Sequence, residues 1–308
     1  MTDVVFETRG LTRYFGKKCA LRDLSLSLSR GCVLGFLGRN GSGKTTAIRM
    51  LLGFLPPTRG SATLLGHDCR DLPPEVRARV GHMAEGHPVY GWMTPAETGA
   101  FQAKQHPGWD PGVFNNVLEH FRIAGRTRAR TLSRGQRAGL CLAMTLAQRP
   151  EVLVLDDPAL GLDAVARRAL LQAMVHFTKE EGRAILFSSH MLADVERVAD
   201  RIAILDQGVL KANCPVDAFR DRMRQVVVQF RDAPANIPEV AGLLSSVRRG
   251  NELVMTIANY GPETEQSLER CGALRFETVE MGLEDAFLGY LGNRGEQSFL
   301  LSGIGGEV

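Results

Sequence analysis

The chain has 308 residues, 44% of them hydrophobic, which is enough for a large core and favours two domains. Its formal net charge of +3 argues against bulk nucleic-acid binding. Its six cysteines form no CxxC pair, which argues against a zinc site and favours reduced thiols in a cytosolic protein. The start MTDVVFETRG is not expected to be a signal peptide, and no stretch has the apolar length of a membrane span, so a membrane role would need a separate partner.

The first part of the chain predicts strands followed by a helix. LSLSLS at 24–29 alternates with period two, which favours a half-buried antiparallel strand. VLGFLG at 33–38 is apolar without alternation, as in a strand covered on both faces. From Thr45 the run TTAIRMLLGF has helical spacing and stops near Pro56 and Pro57.

The middle of the chain continues this alternation. Helical patterns fill about 95–148 and are broken by HPGWDPG, whereas VLVLDD at 152–157 and AILFSS at 184–189 have the character of buried strands. RIAILDQGVL at 201–210 predicts one more strand and a turn. Strands alternating with helices predict an α/β fold with a parallel sheet and helices on its faces.

The pattern changes near residue 215. We therefore expect one domain over 1–215, a small α+β domain over 216–292 and a flexible tail over 293–308. In the small domain the predicted strands are 226–230, 253–258 and 274–280, and the predicted helices are 239–247, 262–271 and 282–291.

GRNGSGKT at 38–45 matches the phosphate-binding pattern G-x-x-x-x-G-K-[ST]. It follows a predicted buried strand and opens a helix, which is the context that the pattern requires. Its glycines let backbone N–H groups face a phosphate, Lys44 can reach the terminal phosphates, and the Thr45 hydroxyl can bind Mg²⁺. The predicted nucleotide-binding residues are Gly38, Arg39, Asn40, Gly41, Ser42, Gly43, Lys44, Thr45 and Thr46.

Two aspartates end the buried strand at 152–157. A buried pair of acids without a cation is costly, so a metal site is favoured over a purely structural pair. We expect Asp156 to hold Mg²⁺ directly or through water, and Asp157 to face the attacking water.

Three further motifs follow in order: LSRGQ at 132–136, ALGLD at 159–163 and SSH at 188–190. With the phosphate loop and the acids, this order resembles the ATP-binding-cassette (ABC) ATPases, over about residues 4–215. The resemblance implies a P-loop NTPase core with a helical subdomain at about 86–148, and ATP and Mg²⁺ as cofactors.

The resemblance also implies a head-to-tail dimer that holds nucleotide between the phosphate loop of one subunit and LSRGQ of the other. Ser133, Gly135 and Gln136 would then contact the γ-phosphate held by the other subunit. Asp163 would cross the dimer interface.

At the two ends of the nucleotide the resemblance implies an aromatic residue and a histidine. Phe15 would stack on adenine, with Tyr14 as the alternative and a core position for Phe15 equally open. His190 would hydrogen-bond the γ-phosphate and position water.

Two residues depart from the family pattern. Glu85 stands where the family usually has Gln, so it can still bind Mg²⁺ but adds negative charge beside the triphosphate. Asp157 stands where the family usually has Glu, so it keeps the carboxylate but has one methylene less. A displacement of a catalytic group by about 1 Å can lower the rate about a hundredfold. The expected activity is therefore slow ATP hydrolysis by Asp157, His190 and Glu85, and the alternative is a nucleotide-gated regulatory or binding subunit with little hydrolysis.

A narrower resemblance rests on WD at 109–110, HMLADVERVADRIAIL at 190–205 and MGLEDAFLGYL at 281–291. These resemble cassettes of ABC-2-type exporters, near the acetoin-utilisation and bacitracin-type group. The resemblance implies a homodimer on the inner face of the cell membrane beneath a separately encoded permease. Tyr90 and Trp92 are candidate permease contacts, unless both pack inside the helical subdomain.

The arginine-rich stretch at 121–137 raises the alternative of nucleic-acid binding. It has little aromatic interleaving, so a solvated or phosphate-proximal face is the better interpretation and nucleic acid is an unlikely partner. An ABC protein that acts on ribosomes or DNA would usually show tandem cassettes or a long coiled coil, and the sequence predicts neither.

Overall fold

The computed structural model describes residues 4–178, 182–231, 239–281 and 287. The chain divides between Cys214 and Pro215 into two compact units. The strands of the first unit are β1 (Val4–Phe15), β2 (Lys18–Ser29), β3 (Val33–Leu37), β4 (Arg59–Leu64), β5 (His67–Asp68), β6 (Val80–Met83), β7 (Val152–Leu155), β8 (Ala184–Ser189), β9 (Arg201–Asp206) and β10 (Val209–Pro215), which reaches the boundary. Its α-helices are α1 (Lys44–Leu51), α2 (Pro74–Arg77), α3 (Pro95–Gln105), α4 (Pro111–His120), α5 (Arg134–Leu146), α6 (Ala164–Phe177) and α7 (Leu192–Val198).

A six-stranded sheet forms the centre of the first unit, in the order β10-β9-β3-β8-β7-β6. The strands from β9 to β6 are parallel. Every residue of β3, β7 and β8 is buried, because one face of the sheet shares a core with α1, β1 and β2 and the other face carries helices such as α7. This confirms the predicted α/β fold, and the carboxyl ends of β3, β7 and β8 meet at one edge. The segment predicted as one strand and a turn contains two strands, β9 and β10.

A second sheet has the order β2-β1-β4-β5 and pairs its strands antiparallel. In β2 the leucines at 24, 26 and 28 are buried while the serines between them are exposed, which confirms the half-buried strand. The strand begins earlier than the sequence pattern indicates, at Lys18. The turn between β1 and β2 therefore follows directly on Phe15.

Three helices, α3 to α5, fill the region where a helical subdomain was predicted. Thr94 and Glu97 form a capping box at the start of α3, and Ser133 and Gln136 form another at the start of α5. Each box satisfies backbone N–H groups that a helix start leaves unpaired. The break between α3 and α4 falls in HPGWDPG, as predicted.

The second unit is a small α+β structure. It contains α8 (Val216–Arg222), β11 (Met223–Gln229), β12 (Leu243–Arg249), β13 (Glu252–Ala258), α9 (Pro262–Arg270) and β14 (Arg275–Glu280), with the sheet order β12-β13-β11-β14.

The helix predicted over 239–247 is wrong, because β12 pairs antiparallel with β13 along this segment. Gly242, with φ of +79°, turns the chain there, and its carbonyl accepts a hydrogen bond from the N–H of Ala258. The predicted helix at 282–291, apart from residue 287, and the predicted tail at 293–308 lie outside the described residues.

Candidate functional site

The loop between β3 and α1 passes close to other backbone. A Cβ on Gly38 would lie 2.3 Å from the carbonyl oxygen of Leu205, and a Cβ on Gly43, which has φ of +110°, would lie 2.6 Å from that of Ala20. Both positions therefore require glycine. The buried hydroxyl of Ser42 has no hydrogen-bond partner within the described chain, and a Cβ on Gly41 would meet open space. An orphaned donor beside open space fits a loop that closes around a phosphate.

Lys44 begins α1 and is only 7% exposed. Its Nζ donates hydrogen bonds to the carbonyl oxygens of Gly38, at 2.7 Å, and Arg39, at 3.3 Å. Burial lowers the pKa of Lys44, and the nearby carboxylates, with Asp157 the strongest, oppose that shift. The ammonium group is thus held inside the loop, where terminal phosphates would be expected.

Asp156 and Asp157 follow β7 and are 4% and 5% exposed. Ser188, on β8, contacts both: its hydroxyl donates to Asp156 Oδ1 at 2.7 Å and accepts the backbone N–H of Asp157 at 2.8 Å. The backbone N–H of Asp156 donates to Met83 O at 2.9 Å. The sequence interpretation did not assign Ser188 a role, although the SSH motif that contains it marked the place.

Asp157 has a left-handed backbone, with φ of +42°. This conformation is uncommon for a residue other than glycine, and it is found where the surroundings enforce it. His190, after β8, places Nδ1 2.8 Å from Asp157 Oδ2. Since Nδ1 is used in this contact, Nε2 is the ring nitrogen left to meet a substrate.

A cleft of about 700 Å³ brings Lys44, Asp156 and Asp157 together, whereas Ser188 and His190 are not among its lining residues. Phe15 lines it and is 49% exposed, with the guanidinium of Arg13 4.9 Å from its ring centroid, so the alternative that Phe15 belongs to the core is wrong. Tyr14 is not among the lining residues. The lining comes from the β1–β2 hairpin (Phe15, Lys18, Cys19, Ala20), the loop and start of α1 (Asn40, Gly41, Gly43, Lys44, Thr45, Thr46) and the strand ends (Glu85, Asp156, Asp157, Gln207).

The predicted magnesium ligands Thr45, Asp156 and Glu85 all line this one cleft. Within the described ranges, no group of three or more His, Cys, Asp or Glu residues could hold a metal by itself. A hydroxyl with one or two carboxylates suits Mg²⁺, which keeps waters and takes its remaining ligands from phosphates. The donor set therefore fits Mg²⁺ bound together with a nucleotide.

The residues of LSRGQ do not line this cleft. Ser133, Gly135, Gln136 and Asp163 line a separate hollow beside α5 and α6. Asp163 caps α6 by accepting the N–H of Ala166 at 2.8 Å, and a Cβ on Gly135 would lie 2.6 Å from the Cβ of Ala166. One chain thus presents two separate surfaces, one carrying the phosphate loop and the other LSRGQ.

An exposed aromatic cluster follows Glu85. Tyr90 and Trp92 lie 5.9 Å apart, and Phe101 on α3 lies 6.4 Å from Tyr90, measured between ring centroids. All three rings are exposed, Trp92 at 64%. The alternative that Tyr90 and Trp92 pack inside the helical subdomain is therefore wrong.

A glycine-rich loop after β3 and buried carboxylates after β7, a parallel strand of the same sheet with β8 between the two, define a P-loop nucleotide-binding protein. The family model described as ABC transporter matches residues 21–160. The chain is 31% identical over 223 residues to the bacitracin transport ATP-binding protein BcrA of Bacillus licheniformis, covering 72% of this chain and 73% of that protein. It belongs to the ABC transporter family, as an ATP-binding subunit, which confirms the resemblance.

Other comparisons agree with this assignment. The ABC transporter ATP-binding protein YtrB of Bacillus subtilis (strain 168) is 30% identical over 76% of this chain and 79% of its own length. A solved ATP-binding subunit of an ABC transporter superposes with a TM-score of 0.63 at 26% identity, over 70% of this chain and 92% of that one. A dimeric structure of the cassette MJ0796, at 20% identity and a TM-score of 0.61 over 68% and 98% of the two chains, shares the fold. Among the described residues, no helix is long and apolar enough to cross a membrane.

Proposed function

We propose that this subunit binds and hydrolyses ATP to drive an ABC-2-type exporter. The observation that carries the proposal is the contact of 2.8 Å between Asp157 and His190, beside the buried ammonium of Lys44. It pairs a carboxylate with a histidine at the edge of a cleft that can take a triphosphate. Similarity to BcrA, a bacitracin transport ATP-binding protein, supports the transport role.

Each residue of the cleft has a role in this proposal. The loop amides and Lys44 hold the β- and γ-phosphates, and Phe15 stacks on adenine. Thr45, Asp156 and Glu85 hold Mg²⁺, which neutralises phosphate charge when bound. Asp157 accepts a proton from the attacking water, and His190 donates Nδ1–H to that carboxylate, which keeps it in place. A ring that also donates Nε2–H to the γ-phosphate carries a proton on both nitrogens.

A second candidate function is nucleotide-gated regulation with little hydrolysis. Asp157 is one methylene shorter than Glu, and Glu85 adds a carboxylate to a cleft that already contains Asp156 and Asp157. The shorter acid reaches the attacking water less well, and the added carboxylate disfavours the build-up of negative charge on a transferring phosphate. Measurement of phosphate release by the full chain, alone and with its permease, separates the two functions.

The proposed working form is a head-to-tail homodimer. The two separate surfaces of one chain support it, because LSRGQ of one cassette can meet a phosphate loop only across an interface with a second cassette. The solved MJ0796 cassette, which shares the fold, is dimeric.

Ser133→Arg is expected to prevent ATP-dependent dimerisation while the chain still binds ATP, because a large cation would occupy the surface that meets the partner's phosphates. Light scattering with Mg²⁺-free ATP measures the dimer. Thr94→Arg is the matched control, since it removes an equivalent capping box, worth about 1 kcal/mol, from α3. An undiminished dimer in Ser133→Arg would contradict the proposed arrangement.

We also propose that the aromatic cluster of Tyr90, Trp92 and Phe101 receives a cytoplasmic helix of the permease, which places the protein at the inner face of the membrane. Exposed aromatic residues that contact one another present apolar area at low entropic cost. The cluster also follows directly on Glu85, which lines the cleft.

Trp92→Ala is expected to reduce the permease-stimulated part of ATP turnover at least tenfold and to leave the turnover of the isolated chain within twofold. Turnover is measured with and without the permease in vesicles. Leu274→Ala removes a side chain of similar exposure, 62%, from the second unit and serves as the control. Equal stimulation of Trp92→Ala and wild type would remove the cluster from the interface.

A further inference from the structure

His87 is a buried polar residue to which neither the sequence motifs nor the proposed mechanism gives a role. It lies two residues after Glu85, has φ of +53° and is only 4% exposed. Its Nε2 lies 2.9 Å from the carbonyl oxygen of Pro158, the residue that follows Asp157. A carbonyl oxygen only accepts, so Nε2 carries the proton.

The turn after β7 is held from two sides. On one side, Ser188 accepts the N–H of Asp157, and on the other, His87 donates to Pro158. Within the turn, Leu160 donates its N–H to the carbonyl of Asp157 at 3.1 Å. Since Asp157 is left-handed without being glycine, such external contacts are what maintain its conformation.

The segment that carries His87 is itself anchored to the helical region. The carbonyl of Gly91 accepts the N–H of Arg130 at 3.0 Å, and the carbonyl of Met93 accepts the N–H of Ala129 at 2.8 Å. The thiol of Cys141 on α5 lies 3.6 Å from the carbonyl of Pro88. His87 thus extends from a fixed segment to the turn that carries Asp157.

We propose that His87 is a positioning residue for Asp157: its Nε2–H holds the carbonyl of Pro158, the next residue in the turn, and so fixes the direction in which the Asp157 carboxylate faces the γ-phosphate. The inference rests on the proposed function, because it concerns the aim of an acid that acts on water. A misplacement of about 1 Å at such a group costs about a hundredfold in rate. Loss of the hydrogen bond is therefore expected to affect turnover rather than nucleotide binding, since Lys44 and the loop amides are not touched by His87.

Three variants of the full chain test this role. His87→Gln keeps an N–H at about the reach of Nε2, His87→Phe keeps the ring volume without a donor, and His87→Asn has an amide one methylene too short. We expect His87→Phe and His87→Asn to lower kcat at least tenfold with the Kd for ATP within twofold of wild type. His87→Gln is expected to retain at least a third of wild-type kcat.

Equal loss in His87→Gln and His87→Asn, or full kcat in His87→Phe or His87→Asn, would overturn the inference. So would a parallel loss of ATP affinity, which would indicate a general role in packing. Should His87→Phe not fold, the comparison of Gln with Asn decides alone. If the wild-type chain does not hydrolyse ATP, both this inference and the proposed hydrolysis are overturned. If the wild-type chain does hydrolyse ATP but His87→Gln and His87→Asn have the same kcat, only the role of His87 is overturned.

Discussion

Asp157→Asn is expected to abolish ATP hydrolysis while ATP still binds. The amide has nearly the same shape but cannot accept a proton from water, and general bases contribute about 10²- to 10⁴-fold. Phosphate release and ATP affinity are measured together on the full chain. Asp71→Asn, at an exposed aspartate, is the control for a generic loss of charge. Wild-type turnover in Asp157→Asn would remove Asp157 from catalysis.

The substitution Asp157→Glu tests whether the cleft has adapted to the shorter side chain of aspartate. Asp157 is 5% exposed and already contacts His190 and Ser188, so an added methylene is expected to crowd the γ-phosphate and lower kcat. In a cleft of ordinary family type the same change would raise kcat. Glu85→Gln completes a double-mutant cycle, and strictly additive effects would contradict coupling between the two acidic departures.

Lys44→Ala is expected to weaken ATP binding about ten- to a hundredfold, because a hydrogen bond to a charged group contributes about 1.5–3 kcal/mol and each 1.4 kcal/mol is tenfold. Titration calorimetry with ATP measures the loss, and Lys104→Ala, at an exposed lysine of α3, is the control. Retained affinity and turnover in Lys44→Ala would contradict the assignment of the phosphate loop.

Lys44 also gives ATP affinity a pH dependence. Burial places its pKa below the ordinary 10.5, whereas bound phosphates favour the charged form and raise that pKa. Affinity is therefore expected to fall as the pH rises through the lowered pKa of the free protein. The same titrations, repeated at alkaline pH, measure this fall, which should be absent from Lys44→Ala.

The sequence was sufficient for features that consecutive residues define. GRNGSGKT at 38–45 contains its own glycines, lysine and hydroxyl, and the buried strands show as unbroken apolar runs. The hydrogen bonds of Ser188 and His87 could not be predicted, because their partners, Asp157 and Pro158, lie 31 and 71 residues away in the chain. No local pattern records which carbonyl a distant ring will meet.

Strand pairing determined the structure at two other places that the sequence left open or predicted wrongly. The sequence left two positions for the Phe15 side chain, in the core or in the cleft. The side chain is exposed because β1 ends at Phe15 and the chain reverses before Lys18. The segment at 239–247 has an apolar pattern that suits either a helix or a strand. Its pairing with β13, after the turn at Gly242, made it a strand.

The close approach of α5 and α6 limits how this protein can vary in evolution. Any residue other than glycine at position 135 would bring its Cβ within 2.6 Å of the Ala166 methyl group. Removal of that methyl is the one direct compensation, so Gly135→Ala is tolerable only together with Ala166→Gly. The constraint runs in one direction: Ala166→Gly alone creates no clash, whereas position 135 can change only after position 166 has lost its methyl group.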